Sequence, residues 1–237
     1  MKQYEVVIIG AGAAGLMCAA TAARRGRRVA LLDNSKKVGK KILMSGGGRC
    51  NFTNRIVEPD NYVSANPHFC KSALKRYTQW DFIALVERYQ IPYHDREHGQ
   101  LFCDHSARQI LDMLLSECEK AGVSLVTDCE IQTIDYSAGY RLATRQGDYE
   151  TNSLVVATGG LSIPTMGSSG FGYEIARQFG LKVLPVSAGL VPFTFSDRMK
   201  GVTERLSGIA LPVAISTGDR TFSEQMLFTH RGLSGPA

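Results

Sequence analysis

The segment YEVVIIGAGAAGLMCAATAARRGRRVALLD, Tyr4 to Asp33, constrains the fold more than any other stretch of the chain. YEVVIIG is a short β-branched run, GAGAAG is a turn, and LMCAATAARR is an alanine-rich stretch suited to a helix that Gly26 ends as a C-cap. Arg28 to Asp33 (RVALLD) reads as a second strand, so a βαβ unit closes within roughly thirty residues and its crossover is right-handed. Gly10, Gly12 and Gly15 form G-x-G-x-x-G, and Asp33 stands eighteen residues past the last of them. The pattern alone is weak evidence. Following a strand, opening a helix and answered by an acid at the end of the next strand, it becomes a dinucleotide-binding fingerprint.

Each residue has a physical task in that reading. Gly10 permits the tight turn, Gly12 lets a pyrophosphate approach bare backbone, and Gly15 lets helix and strand pack closely. The helix N-terminus offers unpaired N–H groups to the anion. Asp33 can accept both hydroxyls of an adenosine ribose and would repel a 2′-phosphate, which makes NADP the least suitable occupant.

A second glycine-rich stretch, SGGGRCNFTN (Ser45 to Asn54), has no hydrophobic period to bury. Three consecutive glycines cost roughly 1 kcal/mol each in a regular element relative to alanine. Either the segment is a flexible surface loop, or bare backbone is needed beside something.

Charge is uneven along the chain. Residues 1–60 hold eleven Lys or Arg against four Asp or Glu, a balance of +7, and the other 177 residues balance at −2. The excess gathers in RRGRR (Arg24 to Arg28) and KKVGKK (Lys36 to Lys41), which suits the phosphates of a dinucleotide or of RNA, or a solvated helix end. No apolar run approaches the roughly 20 residues that span a bilayer, and the strand pattern begins at once, so a cytoplasmic protein without a signal peptide is expected. Six scattered cysteines without a C-x-x-C pair argue against a zinc site and a disulfide framework. His94 and His98 stand at i, i+4, but Pro92 and Gly99 flank them, so a loop or hairpin is expected and no metal.

The remaining pattern reads as a helical region around Lys71 to Gln90 packing Leu74, Tyr77, Phe82, Leu85, Val86 and Tyr89, an amphipathic helix from Ser106 to Ala121, and an antiparallel meander of VSLVTDCEIQTIDY, YRLATRQG and DYETNSLVVATGG returning to the main sheet. LVVATGG (Leu154 to Gly160) reads as a buried strand ending in small residues, where a flat ring system could come close. GSSGFGYEIARQFG repeats the theme of small residues followed by a helix. From Leu181 onward, short strands (LVPFTF, GIALPVAIS, QMLFT) without helices suggest a second domain. The expected division is 1–185 and 186–237.

GAGAAG with Asp33, GKKILMSGGGRCNFTN, VVATGGLSIPTMGSSGFGYEIARQFG and FTHRGLSGPA together resemble the BaiN-like (YhiN-type) flavoproteins, FAD-dependent oxidoreductases, from end to end of the chain. The resemblance implies an α/β fold: a Rossmann-like FAD-binding domain of the two-dinucleotide-binding type, interrupted by an inserted β-rich domain. It implies that Gly10, Gly12, Ala13, Ala14 and Gly15 hold the pyrophosphate and Asp33 the ribose. Ser45, Gly46, Gly47, Gly48, Arg49, Cys50 and Asn51 would run beside the flavin, Lys40 and Lys41 just before them would serve the same anion, Ile131 would meet the adenine, and Ala157, Thr158, Gly159 and Gly160 would pass near the cofactor. Asp33 stands where the family more often has Glu. Family members continue past FTHRGLSGPA, so an N-terminal portion of a longer flavoprotein is expected.

The activity implied is NAD(P)H-driven reduction of an activated C=C bond, either of a small-molecule enone or of a uridine in 23S ribosomal RNA; no DNA or membrane partner is implied. Cys50 and His230 are the candidates for a catalytic acid, each with a structural role as its alternative. A dinucleotide-binding fragment without turnover and an NAD-dependent dehydrogenase using the first fingerprint directly are the competing classes.

Overall fold

The computed structural model describes residues 1–163, 166–189, 191–218 and 220–236. Two compact units divide the chain, Met1–Val183 and Leu184–Ala237.

In the first unit, β1 (Lys2–Ile9), α1 (Ala13–Arg24) and β2 (Val29–Leu32) form the βαβ unit, with β1 and β2 parallel. The second half of β1 (VVII) and all of β2 (VALL) read as unbroken apolar runs because both faces are covered there. Ile8 and Leu31 pack with Leu16, Ala19 and Ala20 of α1 on one face; Val7, Ile9, Ala30 and Leu32 pack with Leu142, Tyr149 and Ile175 on the other. After β2 come α2 (Lys40–Met44), β3 (Asn51–Asn54), α3 (Lys71–Arg76), α4 (Gln79–Arg88), β4 (Tyr93–Asp95), β5 (Gln100–Cys103) and α5 (Arg108–Lys120). The order continues with β6 (Ser124–Val126), β7 (Ile131–Tyr136), β8 (Tyr140–Thr144), β9 (Tyr149–Val156) and α6 (Phe171–Gln178). The main sheet runs β6-β2-β1-β9-β8-β7, parallel from β6 to β9 and antiparallel through β8 and β7, and β3-β5-β4 make a small antiparallel sheet.

Three expectations need correction here. The helical region around Lys71 to Gln90 is two helices, because Thr78 adopts extended backbone and caps α4 reciprocally with Asp81. Tyr77, at the break, is exposed rather than core, and α3 buries no residue. VSLVTDCEIQTIDY is not one strand of a meander: Ser124–Val126 pairs parallel with β2, and only β7 joins β8 and β9. Val156, where β9 ends within LVVATGG, is 41% exposed rather than buried, since the strand's C-terminal end opens onto a cavity.

The second unit holds a four-stranded antiparallel sheet, β10 (Phe193–Thr194), β13 (Gly232–Ser234), β12 (Arg220–Thr229) and β11 (Ala210–Thr217), in that order. It also contains a helix, α7 (Arg198–Arg205), which the strand-only reading missed; Asp197 caps it through the Met199 N–H. Within LVPFTF, Leu190 lies outside the described residues, as do Pro164, Thr165 and the final Ala237 of the longer motifs.

Candidate functional site

A cavity of about 1200 Å³ opens in the first unit at the C-terminal ends of β1, β2 and β9, bounded by the glycine turn, α2, the start of β7 and the residues leading into α6. This is where open parallel sheets bind ligands.

The glycine turn is built from close contacts. Gly10 has φ +103°, and a Cβ there would meet the carbonyl oxygen of Ala157 at 2.5 Å. A Cβ on Gly15 would stand 1.8 Å from the Gly10 carbonyl oxygen, so α1 can cross the turn only with glycine at that position. Gly12 differs: nothing lies within 4 Å of a Cβ there, and the residue lines the cavity. Gly12 is also the N-cap of α1 and no side chain caps it, leaving first-turn N–H groups beside Ala13 and Ala14, which line the same wall.

Asp33 lines the cavity with both carboxylate oxygens already engaged. Oδ2 accepts from the Ala11 N–H at 2.6 Å and Oδ1 from the Ser35 N–H at 2.8 Å. The side chain thus ties the glycine turn to the end of β2, and each oxygen retains a second lone pair for a hydroxyl. Lys41 Nζ donates to Ser162 Oγ at 2.9 Å and to the Gly160 carbonyl at 3.3 Å, binding α2 to the loop after β9.

The second glycine stretch is an ordered turn with left-handed backbone at Gly46 and Gly47. A Cβ on Gly46 would meet the Asn51 nitrogen and the Phe102 ring, both at 2.7 Å. Ser45, Cys50 and Asn51 line the cavity, but Gly46, Gly47, Gly48 and Arg49 do not; Arg49 donates to the Asp104 carbonyl at 3.1 Å. Cys50 is buried with φ +51°, and its thiol is pushed up by burial, an effect that the Ser45 hydroxyl beside it partly offsets. Cys50 thus lines the cavity with its thiolate form disfavoured by burial.

Of the other expected positions, Lys40, Ile131, Ala157, Thr158 and Gly159 line the cavity; Gly15 and Gly160 do not. His230 lies in the second unit, exposed between β12 and β13. His94 Nδ1 hydrogen-bonds Asp104 Oδ1 at 2.7 Å, within the hairpin of β4 and β5. Among the described residues no group of three or more His, Cys, Asp or Glu could hold a metal, and no helix is long and apolar enough to cross a membrane.

The family model described as the HI0933-like protein Rossmann domain matches residues 4–204, and the HI0933-like protein barrel and H2TH domain matches 187–237. The chain belongs to the HI0933-like family. It is 55% identical over 239 residues to a ribosomal RNA dihydrouridine synthase of Escherichia coli, covering 100% of this chain and 60% of that protein. The enzyme of the same description from Haemophilus influenzae is 53% identical over 244 residues, covering 100% and 61%. A 3-dehydro-bile acid delta(4,6)-reductase of Clostridium scindens is 28% identical over 241 residues, covering 98% and 58%. The chain thus spans about three fifths of the length of these relatives.

In this HI0933-like cavity, sequence reasoning missed the apolar wall of Met17, Ile42, Phe52, Phe82, Ile110 and Leu114, contributed by four helices and β3. Their apolar periodicity marked them only as core. Gly167, Ser168 and Ser169 also line it, ahead of α6; the repeated pattern of small residues before a helix was the available signal.

Proposed function

We propose that this chain is the FAD-binding part of a reductase that adds a hydride and a proton across the C5–C6 double bond of a uridine in ribosomal RNA, with NAD(P)H as electron source. The observation that carries the reading is the union, in one cavity, of open backbone at Gly12 with the neutral thiol of Cys50, in a chain 55% identical throughout to a ribosomal RNA dihydrouridine synthase.

The residues present fit a dinucleotide. A volume of about 1200 Å³ exceeds the roughly 300–1,000 Å³ of ordinary small-ligand pockets. Gly12, Ala13 and Ala14 would hold the pyrophosphate at the uncapped start of α1, and the free lone pairs of Asp33 the ribose. When bound, FAD supplies hydride transfer from a nicotinamide to a conjugated double bond.

The chain's own residues prepare the site. Phe52, Phe82, Ile110 and Leu114 keep one wall dry, which strengthens every polar contact inside. Cys50, held beside Ser45 in left-handed backbone, keeps a proton at Sγ where a reduced substrate needs one. The same apolar wall suits a flat enone, and the bile acid reductase likeness makes a small-molecule substrate the second reading.

The test uses the full-length protein with ribosomal RNA from a strain lacking its gene, followed by nucleoside analysis. Dihydrouridine formed only with enzyme and NAD(P)H supports the proposal; unchanged RNA with rapid reduction of a steroid enone favours the second reading.

A further inference from the structure

We propose that residues 61–80 form the surface that docks single-stranded RNA at the cavity rim, with Tyr62, Phe69 and Trp80 stacking on unpaired bases and Lys71, Lys75 and Arg76 holding phosphates. The inference rests on the RNA reading above.

The segment is unusual in composition and in exposure. Its twenty residues contain four aromatic rings, three Lys or Arg and no Asp or Glu. Phe69 is 81% exposed, and Tyr62, Trp80 and Tyr77 are exposed too. Residues 61–69 are all exposed, and α3 buries none of its residues, so core packing does not account for these side chains.

Charge completes the pattern. Several arginines elsewhere in the first unit face acids: Arg55 with Asp95, Arg141 with Asp148, Arg145 with Glu130. Even in RRGRR, Arg24 pairs with Glu117 and Arg27 with Glu5 at 2.9 Å. Lys71, Lys75 and Arg76 make no ion pair among the described residues. Unpaired cations interleaved with exposed rings fit an anionic polymer with free π-faces, which is single-stranded nucleic acid.

Position links this surface to the chemistry. The segment lies between β3 and α4: Gln79, at its end, donates to the carbonyl of Arg55, just past β3, at 3.1 Å, and Phe52 of β3 and Phe82 of α4, both lining the cavity, stand 6.1 Å apart between ring centroids. A uracil must leave its stack to be reduced inside a cavity, and that leaves neighbouring bases without partners. Rings at the rim replace that lost stacking.

The experiment compares full-length wild type, Phe69→Ala/Trp80→Ala and Lys71→Gln/Lys75→Gln/Arg76→Gln for binding to protein-free ribosomal RNA across a salt series, alongside flavin content and mass in solution. The ring variant is expected to bind about ten-fold or more weakly with its salt slope intact. The charge variant should lose about two from the slope of log affinity against log salt. Both should keep wild-type flavin content. Wild-type RNA affinity in both variants overturns the docking surface while leaving the RNA reading standing. Failure of the wild type to bind or reduce RNA overturns both. A change of oligomeric state, or flavin loss with RNA affinity unchanged, would make the patch a packing surface and likewise refute the proposal.

Discussion

The Asp33 carboxylate accepts the backbone N–H of Ala11 at 2.6 Å, so the acid that closes the βαβ unit is first a clamp on the glycine turn. With the Ser35 N–H on its other oxygen, it orders the cavity before any ligand arrives. Charge-assisted hydrogen bonds are worth about 1.5–3 kcal/mol each. Asp33→Ala is therefore expected to lower the stability of ligand-free protein by about 2–4 kcal/mol as well as its affinity for a dinucleotide. Asp33→Asn should be nearly as harmful, because its amide would present a donor to one of the two N–H groups. Asp33→Glu carries the charge one methylene past Ala11 and should also weaken the turn. Urea unfolding of ligand-free protein distinguishes this from a role in ribose binding alone, in which all three variants would unfold like wild type.

Gly12 and Gly15 separate ligand binding from folding. Gly15→Ala puts a methyl 1.8 Å from the Gly10 carbonyl oxygen and is expected to cost about 3 kcal/mol or more, as overpacking against rigid backbone does. Gly12→Ala meets nothing within 4 Å at an ordinary φ of −87°, so stability should change by less than about 1 kcal/mol. The new methyl still faces the cavity, and dinucleotide affinity should fall. Calorimetric unfolding with ligand titration on both variants checks the contrast.

The glycine turn was legible because its constraints are local: chain reversal, close crossing and an acid at a fixed spacing all act within thirty-three residues. The unusual glycine run pointed to the whole of Ser45 to Asn51; Ser45, Cys50 and Asn51 line the cavity, whereas Gly46 packs against Phe102, Arg49 donates to the Asp104 carbonyl, and Gly47 and Gly48 do not line it. The cavity's apolar wall was not legible. Ile110 and Leu114 have the same helical spacing as Leu111, and only tertiary packing decides which of them faces a ligand. α7 was missed for a related reason: RMKGVTER has a glycine in its middle and a weakly apolar face, so its propensity is low and tertiary contacts must supply the rest.

Two arginines of the basic run at the end of α1, Arg24 and Arg27, are engaged by acids. Arg24 and Arg88 both pair with Glu117, whose side chain is 8% exposed and also accepts from the Tyr89 hydroxyl at 2.6 Å. Glu117→Ala leaves that hydroxyl and two guanidinium groups without their acceptor. A loss of about 2–3 kcal/mol is expected, below the 3–5 of fully buried pairs because both arginines reach solvent. Arg24→Ala should destabilise in the same direction and leave the salt dependence of RNA binding unchanged. A lower salt slope with intact stability would instead place Arg24 against phosphate.

Burial raises the thiols of Cys18, Cys50, Cys103 and Cys118, and Cys103 reaches about 12 with neighbouring Cys50 as a further cause. Below the ordinary thiol value of 9.0 folded and unfolded chains both hold these protons, and stability does not depend on them. Above it the unfolded chain releases protons that the folded one keeps, so stability falls by up to about 1.4 kcal/mol per pH unit for each thiol. The fall for Cys103 continues to about pH 12. Urea midpoints at pH 8 and pH 10 should show the decline, and Cys103→Ala should flatten it. A pH-independent midpoint would mean that these thiols titrate normally.

Whether the cavity beneath Gly12 and Asp33 holds FAD is decided by the flavin released on denaturing purified full-length protein, identified by chromatography and counted against protein. FAD is expected in equimolar amount for wild type and is expected to be lost in Gly12→Ala, with the variant's fold intact. A protein that releases no flavin after incubation with excess FAD, or a Gly12→Ala variant that retains FAD as tightly as wild type, would contradict FAD binding there.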